Sequence, residues 1–142
     1  MRFTIIIKAN RDSEAGVMPD QKLLAAMGAY NEELVKAGII LAGEGLQPSR
    51  KGARIKFAGG KTTVIDGPFS ETKELIAGFW VWQVKSKEEA IEWARRCPAD
   101  PGTGAELEIR QVFEASDFEM TPEIRASHDA VASQLLKDRA KQ

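Results

Sequence analysis

Gly78-Phe-Trp-Val-Trp-Gln-Val84, followed at once by Ser86-Lys-Glu-Glu89, Ala90-Ile-Glu-Trp-Ala94 and Cys97-Pro98, carries two different periodicities side by side. The first half alternates with period two: Trp80 and Trp82 fall on one face and Phe79 and Val81 on the other, as a strand requires. The second half changes to a helical period. Ser86 with Glu89 three residues later forms a capping box, and Ala90, Trp93, Ala94 and Cys97 then line one apolar face. Pro98 closes the helix because proline has no N–H to continue it. A strand that passes directly into an amphipathic helix is the first half of a β-α-β unit, and the order strand then helix recurs at the start of the chain.

There, Arg2-Phe-Thr-Ile-Ile-Ile-Lys8 reads as a short β-branched strand and Asn10 to Gly16 as a polar loop. Pro19 suits a first helical position, Leu23, Met27, Tyr30 and Leu34 recur at helical spacing, and Gly38 supplies a stop, so a helix is predicted over 19–37. Ile39 to Leu46 is the next strand, ended by Gln47-Pro48-Ser49. Ala53–Phe57 and Lys61–Ile65 flank Gly59-Gly60, the signature of a hairpin, and Asp66-Gly-Pro-Phe69 is a turn. Ala105 to Phe113 is the last core strand. The order is that of an α+β fold, ferredoxin-like β-α-β-β-α-β with an inserted β-hairpin and an antiparallel sheet. Residues 1–113 form this domain. Residues 114–142 form a C-terminal extension, in which Thr121-Pro122-Glu123 starts a helix over about 122–139.

Composition narrows the function. The 142 residues are 43% hydrophobic and 29% charged, enough apolar side chain for one packed core. Twenty Lys and Arg against twenty-one Asp and Glu give a net charge of −1, which removes the positive surplus that nucleic-acid binding draws on. No apolar run approaches the length that crosses a bilayer and the first residues do not read as a secretion signal, so a cytoplasmic protein without a membrane partner is expected. A single Cys97 and a single His128 exclude an internal disulfide framework and motifs that need two histidines. No metal and no cofactor is expected, because no nucleotide fingerprint is present and both residues fall on packing faces. Cys97 reads as a small core hydrophobe, and His128 as a packed or capping residue in register with Ile124, Val131 and Leu135.

Strand alternation separates two faces. One collects Phe3, Ile5, Ile7, Ile39, Leu41, Trp80, Trp82, Val84, Leu107, Ile109 and Phe113 without a charge, and should carry the two helices. The other mixes Ile6, Ile40, Ala42, Phe79, Val81 and Val112 with Thr4, Lys8, Glu44, Gln83, Glu108 and Arg110. Two helices cover only one face of a four-stranded sheet, so this second face is expected to meet a second copy in a homodimer.

The run Leu41-Ala-Gly-Glu-Gly-Leu-Gln-Pro48, Asp66-Gly-Pro-Phe69 with Glu71, Lys73 and Glu74, Gly78-Phe-Trp, and Glu89-Ala-Ile-Glu-Trp-Ala94 before Cys97-Pro98 together resemble the DGPF branch of the YCII-related family over roughly residues 1–113. The resemblance implies a dimeric α+β barrel in which two sheets pack through their open faces. It also implies a superfamily that includes isomerase-like, dehydrochlorinase-like and monooxygenase-like enzymes, and bacterial members encoded beside extracytoplasmic-function sigma factors. Some relatives carry a His in the first helix and an Asp before the proline ending the second; by register those positions are Met27 and Cys97 here, so that acid–base pair does not carry over.

Asp66 opens the family tetrapeptide where the hairpin returns to the sheet. It reads either as a turn residue capping backbone N–H groups or, desolvated beside Phe69, as a general base. Glu44 and Arg110 point onto the open face, as a structural ion pair at the rim or as ligand contacts, with Gln83 and Lys8 as further polar anchors. Two functions follow from these residues. One is an inter-sheet cavity binding a small anionic or carbonyl-bearing molecule through Arg110, Glu44, Gln83 and Phe69, with lyase or isomerase-type chemistry on Asp66. The alternative is a non-catalytic accessory module, for example one working with a sigma factor.

Overall fold

The computed structural model describes residues 1–99 and 104–142. The chain runs β1 (Arg2–Lys8), α1 (Arg11–Glu14), α2 (Gln21–Lys36), β2 (Ile40–Gly45), β3 (Ala53–Ala58), β4 (Lys61–Asp66), β5 (Ile76–Gln83), α3 (Lys87–Arg95), β6 (Leu107–Gln111) and α4 (Pro122–Arg139). Single 3-10 turns at Ser49–Lys51, Thr72–Glu74 and Ala115–Asp117 join some of these elements. Four strands pair in the order β2-β5-β1-β6 with every neighbour antiparallel, and β3 pairs with β4 alone. The fold is therefore α+β and ferredoxin-like, with the hairpin inserted between the second and third sheet strands. The chain divides into two compact units, Met1–Val112 and Phe113–Gln142.

Local chemistry accounts for the helices. Asp20 caps α2 by accepting a hydrogen bond from the Leu23 amide at 2.8 Å, and Ser86 caps α3 by accepting from the Glu89 amide at 3.1 Å. Pro19 therefore precedes the cap instead of occupying the first helical position, and the helix starts two residues later than its proline suggests. The polar stretch after β1 is not a plain loop, because Asn10 and Ser13 exchange capping hydrogen bonds and wind it into α1. In the second unit Thr121 caps α4, whose span matches the expected helix, and the Phe113 and Phe118 rings meet at a tilt of 49° with centroids 5.0 Å apart.

The core of the first unit lies between the sheet and the pair α2 and α3. Phe3, Ile5, Trp80 and Trp82 from the strands meet Tyr30 and Leu34 from α2 and Ala90 from α3. Each large side chain fully withdrawn from water stabilises the fold by roughly 1.5–3 kcal/mol. Tyr30 Oη donates to the Trp93 carbonyl at 2.7 Å and Trp80 Nε1 to Asn31 Oδ1 at 3.0 Å, so the polar tips of two core aromatics tie the layers together.

Two members of the expected core face lie elsewhere. The β2–β5 register shifts between Ile40 and Ala42, so Ile40 sits opposite Trp82 and packs on the core while Leu41 is 47% exposed. Strict alternation cannot foresee this, because one extra residue in a strand reverses the side chains beyond it. Phe113 lies beyond the end of β6 and is 70% exposed. Gly43 has a packing reason: a Cβ there would lie 2.6 Å from Trp80 Cδ1, so the indole occupies the space of the missing side chain.

The opposite face has two cross-sheet rows, Glu44–Phe79–Ile6–Glu108 and Ala42–Val81–Thr4–Arg110. Thr4, Ile6, Ala42, Phe79 and Val81 are all half-buried. Both α2 and α3 pack on the other side of the sheet.

Candidate functional site

The root of the hairpin is built around a glycine. Gly67 donates its amide to the Gly52 carbonyl at 3.0 Å, and a Cβ on Gly67 would sit 1.7 Å from the Ser49 carbonyl oxygen. Only a residue without a side chain lets the two loops touch at this point. The Gly67-Pro68 peptide is cis. Phe69 then donates its amide to Ser49 Oγ at 3.1 Å, Ser49 donates its own amide to Glu14 Oε1 at 3.0 Å, and the Ser49 hydroxyl donates to Glu14 Oε2. One carboxylate from α1 thus holds the loop after β2, which in turn holds the turn after β4. Charge-assisted hydrogen bonds of this kind are roughly twice as strong as neutral ones.

Arg54 covers the outside of this latch. Its guanidinium carbon lies 3.8 Å from the centre of the Phe69 ring, and its Nη1 is 3.6 Å from Glu71 Oε2. The Glu71 carboxyl is held below its ordinary range, first by its own backbone amide and then by Ser70, with Arg54 adding to the effect. Phe69 is therefore half-buried beneath an arginine. Asp66, by contrast, is exposed, and no hydrogen bond or ion pair involves its carboxylate among the described residues. The turn is secured by Ser49, Gly52 and Glu14 rather than by Asp66 capping backbone amides.

Strand order separates the other expected pair. Glu44 lies on β2 and Arg110 on β6, the two edges of the sheet, three strand spacings or about 14 Å apart. They share the open face but form no ion pair with each other. Instead Arg110 Nη1 lies 3.3 Å from Glu108 Oε2, and Lys8 Nζ lies 3.5 Å from Glu108 Oε1. The hydrogen bond from Arg110, followed by the charge of Lys8, holds the Glu108 carboxyl below the usual carboxylate range. Glu44, Gln83 and Arg110 are all exposed.

A cavity of about 400 Å³ lies between α3 and β6, lined by Ile91, Ala94, Cys97, Leu107 and Ile109 among others. It is on the helix-covered side of the sheet, and none of Asp66, Phe69, Glu44, Gln83 or Arg110 lines it. Burial pushes the Cys97 thiol from 9.0 up to about 11. The thiol is protonated at neutral pH and a poor nucleophile, so Ellman's reagent is expected to modify it more slowly than a cysteine in the urea-unfolded chain. Linkage gives a second consequence. As pH rises from about 9 to about 11 the unfolded chain releases a proton that the folded chain keeps, so stability falls across that window. The fall should be shallower in Cys97→Ala, as thermal melts at pH 8 and pH 10.5 would show. Among the described residues no three His, Cys, Asp or Glu side chains converge as a metal-ligand set, and no helix is long and apolar enough to cross a membrane. His128 Nδ1 lies 3.2 Å from Asp129 Oδ1, its neighbour on α4.

Comparison with known proteins adds a family to this geometry. A family model described as the YCII-related domain matches residues 1–116. The chain belongs to the YCII-related family. It is similar to the uncharacterized protein R00369 of Rhizobium meliloti (strain 1021), with 35% identity over 92 residues, 64% of this chain and 73% of that protein. Among solved structures it resembles 5-chloro-2-hydroxyhydroquinone dehydrochlorinase (TftG) from Burkholderia phenoliruptrix AC1100, in complex with 2,5-dihydroxybenzoquinone. That likeness has 17% identity and a TM-score of 0.45, covering 84% of this chain and 100% of that one. The YCII-related match contains all six strands, the hairpin root and the open face, and it stops before α4.

Sequence reasoning missed Glu14, Ser49 and Arg54. Thirty-five residues separate Glu14 from Ser49, and no local periodicity connects them. The one available signal was Pro48-Ser49 closing a strand of the family pattern, which marks a loop without saying what it meets.

Proposed function

We propose that this YCII-related protein is a small-molecule-binding homodimer of the DGPF branch, in which two open sheet faces enclose a cavity for an anionic or carbonyl-bearing ligand. The observation that supports this is the sheet face opposite α2 and α3. Ile6, Ala42, Phe79 and Val81 form an apolar floor across the sheet, framed by Glu44, Gln83 and Arg110, the mixture that ligand pockets use. Arg110 is the anchor in this reading: Nη1 is engaged by Glu108, and a guanidinium has further donors in the same plane for a carboxylate or enolate. Asp66 is the proton acceptor for lyase or isomerase-type chemistry, a role supported by a carboxylate that no described internal partner uses.

Light scattering at micromolar concentration is expected to give twice the 15.6 kDa chain mass, and a monomer would refute the assembly. Titration calorimetry with benzoate and with pyruvate should show binding of at least one, weakened roughly tenfold or more in Arg110→Ala, which corresponds to about 1.4 kcal/mol or more. Equal affinity in the variant, or no binding of either compound, would refute the anchor.

A further inference from the structure

The charges of the four-stranded sheet are sorted by strand. β1 and β6 carry Arg2, Lys8, Glu108 and Arg110, whereas β2 and β5 carry Glu44 alone. All five fall on the face opposite α2 and α3: Thr4 pairs with Arg110, Ile6 with Glu108 and Phe79 with Glu44, while the alternate residues Phe3, Ile5 and Trp80 point into the core. One half of this face is therefore positive, even with Glu106 just before β6 counted in it, and the other half is negative. Between them lies the half-buried apolar strip Ile6, Ala42, Phe79 and Val81.

The two halves also differ in how their charges are used. Lys8 Nζ and Arg110 Nη1 lie 3.5 Å and 3.3 Å from the two oxygens of Glu108, so one carboxylate serves two cations and the cluster keeps one positive charge. Along the strands Lys8 and Arg110 flank Glu108 on either side. Glu44 occupies the same cross-sheet row as Glu108, about 14 Å away at the other edge, and no hydrogen bond or ion pair engages its carboxylate among the described residues. Within one chain that distance keeps Glu44 and the cluster apart.

We propose that Glu44 of each subunit enters the Lys8, Glu108 and Arg110 cluster of the other, so that each ligand site is built from two chains. The inference rests on the dimer proposed above and fixes its orientation. Aligned packing of two such faces about a two-fold axis allows two arrangements. With the axis perpendicular to the strands, each edge meets its own copy, so Glu44 shares an edge with Glu44 of the partner subunit and the two cationic clusters oppose each other. With the axis parallel to the strands, the β2 edge lies over the β6 edge at the same level along the strands, and a carboxylate meets a positive cluster twice. Like charges brought together in an interface are costly and opposite ones fix its register, so charge selects the second arrangement. Glu44 of the partner subunit then enters between Lys8 and Arg110, and with Glu108 it closes a ring of four alternating charges. A guanidinium has five N–H donors, so Arg110 keeps some of them for the ligand.

Dimer dissociation constants from sedimentation equilibrium test this. Glu44→Arg and Arg110→Glu place like charges at both junctions, and each is expected to weaken the dimer by roughly tenfold or more. Glu44→Gln removes the charge without reversing it and should weaken the dimer less. Glu44 and Arg110 are exposed within one chain, so circular dichroism should report an unchanged fold in these variants. Mixing the Glu44→Arg chain with the Arg110→Glu chain should restore wild-type affinity in the mixed dimer, because both junctions again join opposite charges. Mixing Glu44→Arg with the wild-type chain should not. A wild-type monomer would overturn the dimer itself. A wild-type dimer that all three substitutions leave unchanged, or one that they weaken without rescue in the charge-swapped mixture, would overturn the pairing and leave the dimer standing. Rescue of Glu44→Arg by the wild-type chain would also overturn it, by placing like edges over one another.

Discussion

Trp82→Ala is expected to cost about 3–5 kcal/mol, the range for removing a large aromatic from a close-packed core. Trp82 is 0% exposed and lies at the centre of the residues that join both helices to the sheet. Part of the loss is transfer free energy and the rest is the cavity left behind, because Phe3, Ile40 and Trp80 are each fixed by strand pairing and cannot collapse fully into it. The paired control is Trp82→Phe. Trp82 Nε1 is buried and has no hydrogen-bond partner among the described residues, so phenylalanine removes an uncompensated donor along with the volume. At Trp80 the same change breaks the bond to Asn31 and leaves the amide oxygen without its donor. Chemical denaturation should therefore rank Trp82→Ala as the most destabilised, then Trp80→Phe, then Trp82→Phe; a reversed order of the two phenylalanine variants would show that lost volume outweighs the polar difference.

Gly67→Ala is expected to disrupt the hairpin root more severely than any other single methyl group added to that loop. The new Cβ would lie 1.7 Å from the Ser49 carbonyl oxygen and 2.5 Å from its carbon, and both are backbone atoms that cannot rotate away. The loops must part, which breaks the Phe69–Ser49 hydrogen bond and separates Ser49 from Glu14. Overpacking of this kind costs about 1–3 kcal/mol in general and should reach or exceed the top of that range here. Ser49→Ala provides the graded comparison, since it removes the hydroxyl bonds without moving the backbone and should cost about 1–3 kcal/mol. Melting temperatures of the two variants, with hydrogen exchange across residues 64–72, would check the ranking. If Gly67→Ala melts within a degree of wild type, the close approach of the two loops does not exist in solution.

Element type and order were legible because each rests on neighbours in the chain. Alternation in Gly78–Val84, the Ser86–Glu89 cap, the helical stripe from Leu23 to Leu34 and the Thr121-Pro122-Glu123 start are all local patterns whose free energy is set within a few residues. The four-part family pattern was legible for the same reason, as a set of short runs in a given order. Even the face opposite the two helices followed from period two alone, apart from the segment next to Leu41, where a bulge changed the phase.

The site was legible only as residue types. Asp66, Phe69, Glu44, Gln83 and Arg110 could be named from their strands and turns, but strand order decided which of them meet. The sheet sends Glu44 and Arg110 to opposite edges, gives Arg110 to Glu108, and leaves Asp66 without a described partner while Arg54 covers Phe69. The latch from Glu14 through Ser49 to Phe69 spans three separate segments, and it required α1, the loop after β2 and the turn after β4 to converge. By itself the sequence determined this protein's element order, its two-faced sheet and its family, because backbone propensity and side-chain alternation act over short distances along the chain. Only the tertiary structure decided the partners of its charges and the reason for its glycines, because hydrogen bonds and steric contacts depend on separation in space, which strand pairing sets independently of separation in sequence.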